Sequence, residues 1–341
     1  MTASESAERQ PPPAAGPVAA DAPRSRAAPQ RNASNRGSRR LGDRVLRWAT
    51  GAGAVTLILV AAGMALTLVS GASRALGTFG LPFVWTSVWD PVREQFGAAS
   101  ALVGTLAAAI LALALAVPLA IGIAMFLTEL APPWLGRPVS RAIELLAAIP
   151  SIIYGMWGLF VLAPFVAEHV QPALSAWLGF LPFFKGPPLG IGLLSASLVL
   201  AIMVVPYIAA IARDLFAMVP AHLKEAASGL GATRWEVVRH VVIPYARSGL
   251  VGAVVLGLGR ALGETMAVTF VIGNSHELSA SLYRPASTIA STLANEFTEA
   301  TGELYLSSLI ALALLLFLLT CVILGVGRVL VARTAARAGA A

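Results

Sequence analysis

The chain has 341 residues, of which 57% are hydrophobic and 12% charged, with a mean hydropathy of +0.78. Soluble domains carry about a quarter charged residues, so a water-soluble globular protein and a disordered chain are both excluded. Lys and Arg outnumber Asp and Glu by 24 to 17, and Cys321 is the one cysteine, which forbids an intramolecular disulfide and argues against a cysteine-based metal site.

Residues 1–45 are rich in Pro, Ala, Ser and Arg and have almost no large apolar side chains, the composition of a disordered tail. The arginines that close it (Arg36, Arg39, Arg40, Arg44, with Arg47 just beyond) are expected to lie against anionic headgroups. Ser38-Arg39-Arg40 has the form of a twin-arginine export signal. The apolar run that follows is too long for a signal core, however, and five more come after it. The first run therefore reads as a retained anchor.

A bilayer core of ~30 Å takes ~20 apolar residues in a helix. Six runs qualify: Leu46–Val69, Ser100–Leu127, Ala142–Val166, Leu189–Ile211, Leu250–Ile272 and Tyr305–Leu330. Barrel strands need only ~10 residues and alternate. Runs this long predict an all-α polytopic membrane protein with six transmembrane helices over residues 46–330 and a short end at 331–341. Pro118, Pro150 and Pro206 fall within the second, third and fourth runs, where each removes a backbone donor and can kink its helix. Glu144 lies about a turn inside the third run with Arg141 three residues before it, the spacing of a snorkelling pair at the membrane interface. Gly252, Gly257, Gly259 and Gly263 along the fifth suit close helix packing.

Of the 24 Lys and Arg, 19 fall in residues 1–47, in the segments 128–141 and 212–249, and at the C-terminal end; the alternate loops hold four. Cytoplasmic loops are the ones enriched in positive charge, so both termini are expected to be cytoplasmic.

The loop between the fourth and fifth runs, residues 212–247, has internal punctuation. Pro220 can open a helix, and Gly229 and Gly231 can close it. Thr233 has the character of an N-cap, with Glu236 three residues on completing a capping box. Trp235, Val238, Val241 and Val242 follow at helical spacing, and Pro244 is expected to end that stretch. Two short helices joined by a glycine turn should thus protrude on the cytoplasmic side, either as an amphipathic surface hairpin or as a docking element.

Arg260, the remaining cation, lies with Glu264 near the middle of the fifth run. A charge at that depth costs ~2.5–3.5 kcal/mol on insertion scales. The i,i+4 spacing puts both on one helix face, where they can pair. Pairing lowers the cost without explaining the charges, so a substrate pathway is the first reading and a register-fixing salt bridge the second. Arginine suits an oxyanion because its fork donates two parallel hydrogen bonds. Glu264 can compete with the anion for Arg260, or, if protonated, donate to it. Thr265 and Thr269 add hydroxyls, though threonines in membrane helices usually bond their own backbone.

Several chemistries are missing from the sequence. It contains no G-x-x-x-x-G-K-[ST] phosphate loop and no His-Glu-x-x-His. His169, His222, His240 and His276 are all expected in loops. An enzyme, a bound cofactor and a metal site are not expected, nor is a nucleic-acid partner.

The loop string resembles a known family. Glu225-Ala226-Ala227, then Gly231, then Val241 and Ile243-Pro244, is similar to the EAA loop of bacterial ABC-importer permeases, the binding-protein-dependent transport permeases. Gly259-Arg260-Ala261-Leu262-Gly263-Glu264-Thr265-Met266-Ala267-Val268 with Ile272-Gly273-Asn274, and Ala148 to Gly158 in the third run, resemble phosphate-importer permeases of the PstC type within that family. The likeness covers most of residues 45–330. It implies a type I importer fold in the bacterial cytoplasmic membrane, with Arg260, Glu264 and Thr265 on a phosphate pathway. It also implies that Glu225, Ala226, Ala227, Gly231 and Pro244 belong to the loop that couples to an ATPase. The implied partners are a second, similar permease (PstA type), a cytoplasmic ATPase dimer that uses the ATP (PstB type) and an extracytoplasmic phosphate-binding protein (PstS type), all within membrane lipid. The alternatives are a permease for another oxyanion such as sulfate or molybdate, an ion-coupled secondary transporter or channel, and a structural membrane scaffold.

Overall fold

The computed structural model describes the backbone of residues 35–339 and the side chains of residues 44–334. Residues 1–34 of the expected tail lie outside the described residues. From Asn35 onward the chain is already helical, eleven residues ahead of the expected first span, in α1 (Asn35–Gly71). Of the described residues, 35–60 form a unit of their own, a helix whose described side chains are exposed to that point.

The second unit, from Ala61 onward, is built from helices joined by short irregular segments. After α2 (Ser73–Phe79) a small hairpin pairs the two-residue strands β1 (Trp89–Asp90) and β2 (Gln95–Phe96). The long helices are α3 (Ala99–Leu130), α5 (Ser151–Leu178), α6 (Leu193–Ala217), α8 (Arg234–Leu262) and α11 (Glu303–Gly339). Shorter ones lie between them: α4 (Pro133–Ala147), α7 (Ala221–Gly229), α9 (Met266–Ile272) and α10 (Ile289–Glu296). Among the described residues six helices are long and apolar enough to cross a membrane, in agreement with the six runs. α11 continues helical past the expected span end at Leu330, through Gly339.

The core forms chiefly where α3 and α6 pack along their length. Ala108, Ala112, Ala116, Ala120 and Ala124 recur every four residues and are all essentially inaccessible. That row of small side chains forms a shallow groove into which Val199, Met203, Val204 and Ile208 of α6 fit. Both helices run through their prolines, Pro118 and Pro206. Gly257 of α8 is pressed against Ile208, where a Cβ would sit 2.7 Å from the isoleucine Cδ1.

The third span departs from expectation. Pro150 does not kink a continuous helix; it separates α4 from α5, because the residue before a proline is driven out of the α region. The membrane-length helix is therefore Ser151–Leu178 rather than 142–166. Glu144 sits on α4 and pairs with Arg213 of α6 at 2.8 Å, not with Arg141. Pro244 likewise does not end the second loop helix. A π turn at Val238–Val242 lets the Ile243 amide reach the Val238 carbonyl, and Pro244 then falls in the first turn of the continuing helix, where its missing N–H is not needed. The loop thus contains one free-standing short helix, α7, and the start of the fifth span. Of the four histidines only His276 lies in a loop; His169, His222 and His240 are in helical turns.

Candidate functional site

The fifth span breaks where its two charges lie. α8 ends at Leu262, residues 263–265 leave the helix, and α9 starts at Met266. Arg260 and Glu264 therefore do not share a helix face, and no ion pair joins them among the described residues. The expected i,i+4 contact is corrected by this break. Each charge instead occupies the helix end that suits its sign. Arg260 lies in the last turn of α8, where exposed carbonyls favour a cation. Glu264 lies just before α9, and its Oε1 accepts a hydrogen bond from the Ala267 amide at 3.3 Å.

Both side chains are half-buried. The Arg260 guanidinium stacks over the ring of Tyr207 in α6, 5.6 Å from its centroid. Its Nε is buried without a hydrogen-bond partner. Tyr154 of α5 lies within electrostatic reach of the same guanidinium, and its hydroxyl donates to the Leu146 carbonyl at 2.8 Å. Thr265 is half-buried, with its hydroxyl 3.4 Å from the Gly263 carbonyl. Thr269 donates to the Thr265 carbonyl at 2.7 Å, the local backbone bond expected of it. A cavity of about 320 Å³ opens nearby between α3, α4, α5 and α6, lined by Leu119, Ile143, Tyr154, Ile202 and Pro206. It is apolar apart from Tyr154, and Arg260 and Glu264 do not line it.

Close contact between α5 and α9 holds the break in place. A Cβ at Gly155 would lie 2.7 Å from the Phe270 ring and 2.9 Å from the Ala267 Cα; one at Gly158 would lie 2.7 Å from Val199. The small residues of the 148–158 string thus let the segment after the break lie directly on α5. The Gly192 amide also donates to the Val271 carbonyl at 2.9 Å.

The second candidate element is the loop around α7. Glu225 and Ala226 are exposed and Ala227 is half-buried. The helix closes with paired bonds, from the Gly231 amide to the Ser228 carbonyl at 3.0 Å and from the Ala232 amide to the Ala227 carbonyl at 3.1 Å. This is a Schellman closure, and it places Gly231 at φ +89°. Thr233 then caps the next turn in a capping box with Glu236, as its spacing predicts. Pro244 is exposed, just past the π turn within α8. Lys224 of α7 forms an ion pair with Glu129 at the end of α3; the two side chains are 25% and 14% exposed.

Sequence reasoning missed four features: the break itself, Tyr207 beside Arg260, the Lys224–Glu129 tie, and a cluster around Glu296. Gly263 directly before Glu264 was the available sign of the break; the rest are long-range contacts with no local signature. In the cluster the Glu296 carboxylate accepts from Trp89 Nε1 at 2.6 Å and Tyr305 hydroxyl at 2.7 Å, and lies 2.8 Å from His276 Nε2. Burial pushes this carboxyl up, but the hydrogen bonds from His276, Tyr305 and Trp89 outweigh it and hold the group below its ordinary value. No group of three or more His, Cys, Asp or Glu suited to a metal occurs among the described residues.

A chain of the MetNI methionine ABC transporter, solved in inward-facing conformations, aligns with a TM-score of 0.53, covering 72% of this chain and 99% of that one at 20% identity. The two chains thus share a fold. The family described as binding-protein-dependent transport system inner membrane component matches residues 116–336. The phosphate transport system permease protein PstC of Mesorhizobium japonicum is 53% identical over 304 residues, covering 88% of this chain and 93% of that protein. Its counterpart in Pasteurella multocida is 53% identical over 290 residues, covering 84% and 90%. The chain belongs to the binding-protein-dependent transport permease family. It is a multi-pass membrane protein and the permease component of a transport system, not an enzyme.

Proposed function

We propose that the chain carries inorganic phosphate across the cytoplasmic membrane as one permease of an ABC importer. The observation that carries this reading is the Arg260 guanidinium, held at a helix break with no acidic partner among the described residues. Broken helices are where transporters place substrate sites, because unwinding frees backbone groups and directs helix ends at the solute. A tetrahedral oxyanion entering there meets a fork matched to two of its oxygens. Glu264, held on the Ala267 amide across the break, adds a negative charge that weakens the hold on an anion and keeps binding reversible. Thr265 adds a hydroxyl at the break.

The likeness to PstC proteins at 53% identity supports phosphate as the cargo. In this reading both termini and the α7 loop are cytoplasmic. Exposed Glu225 and Ala226, with Ala227 and the Gly231 turn behind them and Pro244 where the loop joins the span, form the face that meets a separate ATPase dimer. That ATPase supplies the energy of ATP hydrolysis; this chain binds no nucleotide. A second, similar permease completes the pathway, and an extracytoplasmic phosphate-binding protein delivers the anion.

Uptake of labelled phosphate by cells that express the whole transport system tests this. Arg260→Ala and Glu264→Ala are each expected to abolish uptake while the complex still assembles. Wild-type rates in both would remove the pathway role. Equal competition by sulfate or molybdate would remove the phosphate assignment and leave a general oxyanion permease.

A further inference from the structure

An arginine four residues from a glutamate, in surroundings poorer in water than the surface, ordinarily collapses onto it. At 4 Å the attraction between opposite charges is about 4 kcal/mol in an effective dielectric of 20. Here the collapse does not occur. The helix break moves Glu264 away from Arg260, and the Ala267 amide holds its carboxylate. On the other side, the Tyr207 ring lies under the guanidinium at 5.6 Å from its centroid. The ring is half-buried and packed against the α3–α6 core, so its own position is fixed by the neighbouring helices. Its hydroxyl makes no hydrogen bond to the protein among the described residues. Tyr207 therefore meets Arg260 with its face, not with its oxygen.

We propose that Tyr207 is a positioning residue for the anion site: its ring holds the Arg260 guanidinium extended and unneutralised, ready for an oxyanion. A ring face suits this task better than a carboxylate. It attracts the cation through its quadrupole without cancelling the charge, and leaves the terminal N–H groups free to donate. A carboxylate in the same place would occupy the donors the anion needs. The inference rests on the reading of Arg260 as the phosphate-binding group.

The test is the concentration dependence of labelled phosphate uptake in the complete transport system, with assembly measured by recovery of the complex. Tyr207→Met, which fills space without a ring face, is expected to raise KM roughly tenfold, midway in the range set by exposed and desolvated cation–π contacts, with kcat within about twofold. Tyr207→Phe keeps the face and is expected to stay within about threefold of wild type in KM. Should the Met variant fail to assemble, Tyr207→Leu takes its place in the comparison, and failure of both while the Phe variant assembles would overturn the proposal by making the ring a packing element. A Met variant with wild-type KM overturns it as well. So does a Phe variant as impaired as Met, which would place the role on the hydroxyl. Arg260→Ala separates the two layers: wild-type uptake in that variant sinks the site itself, whereas loss of uptake there with a normal Tyr207→Met variant sinks only the role of Tyr207.

Discussion

Gly231 offers the sharpest test of how the α7 loop is built, because Gly229 two residues earlier provides an internal control. Neither position would crowd an added Cβ: nothing lies within 4 Å of it at either glycine. Side-chain clashes therefore drop out, and only the backbone decides. Gly231 adopts φ +89°, a conformation that costs an L residue ~1–2 kcal/mol. Replacing glycine by alanine also restricts the unfolded chain, a gain of ~0.4–1 kcal/mol. The two terms oppose each other and leave Gly231→Ala destabilising by about 1 kcal/mol. Gly229 is the last residue of α7, so Gly229→Ala keeps the gain without the strain and is expected to stabilise the turn by up to about 1 kcal/mol. Hydrogen exchange at the Gly231 and Ala232 amides, which close the turn on Ser228 and Ala227, reports local opening directly. Exchange should speed up roughly fivefold in the first variant and slow in the second. Phosphate uptake per ATP hydrolysed should fall only in the first. Equal exchange in both variants would refute the argument that the left-handed turn, and not glycine as such, shapes the loop.

The Lys224–Glu129 pair ties α7 to the end of α3 and is mostly shielded from solvent. Lys224→Met leaves a carboxylate without its partner and is expected to cost ~1–3 kcal/mol, between the values for exposed and buried pairs. The exchange Lys224→Glu with Glu129→Lys should recover most of that in thermal melts of the purified protein, whereas a double variant no better than the worse single one would show that the pair is incidental. Glu296, held below its ordinary value, binds its proton more weakly when folded than when unfolded. Its contribution is therefore complete above the ordinary glutamate range and is lost as pH falls through the lower folded value. Melting temperature should drop in that acid window, and Glu296→Gln should be less stable at neutral pH with a flatter acid limb; parallel limbs would contradict this.

How far these features could be read from the chain alone depends on how local their causes are. The six spans follow from run length, because a helix satisfies its own backbone wherever enough apolar residues succeed one another. The capping box at Thr233 and the glycine closure of α7 are likewise determined within a few residues. Prolines were harder to read. Pro118 and Pro206 sit inside helices, Pro150 separates two, and Pro244 opens the continuation of one. A proline states only that one donor is missing, and the neighbouring turns decide how that is absorbed. The partner of Glu144 was misread for a related reason, since Arg141 is close in sequence but Arg213 is close in space.

By itself, then, the sequence determined the class of protein, the number of membrane helices and the two places where charge and punctuation concentrate, since each arises from composition and short-range spacing. Only the tertiary structure decided that Arg260 and Glu264 stand apart at the ends of two helices. That outcome depends on α9 lying against Gly155 and Gly158 of α5 and on Tyr207 reaching across from α6. Those contacts join residues tens of positions apart, and no spacing along the chain records them.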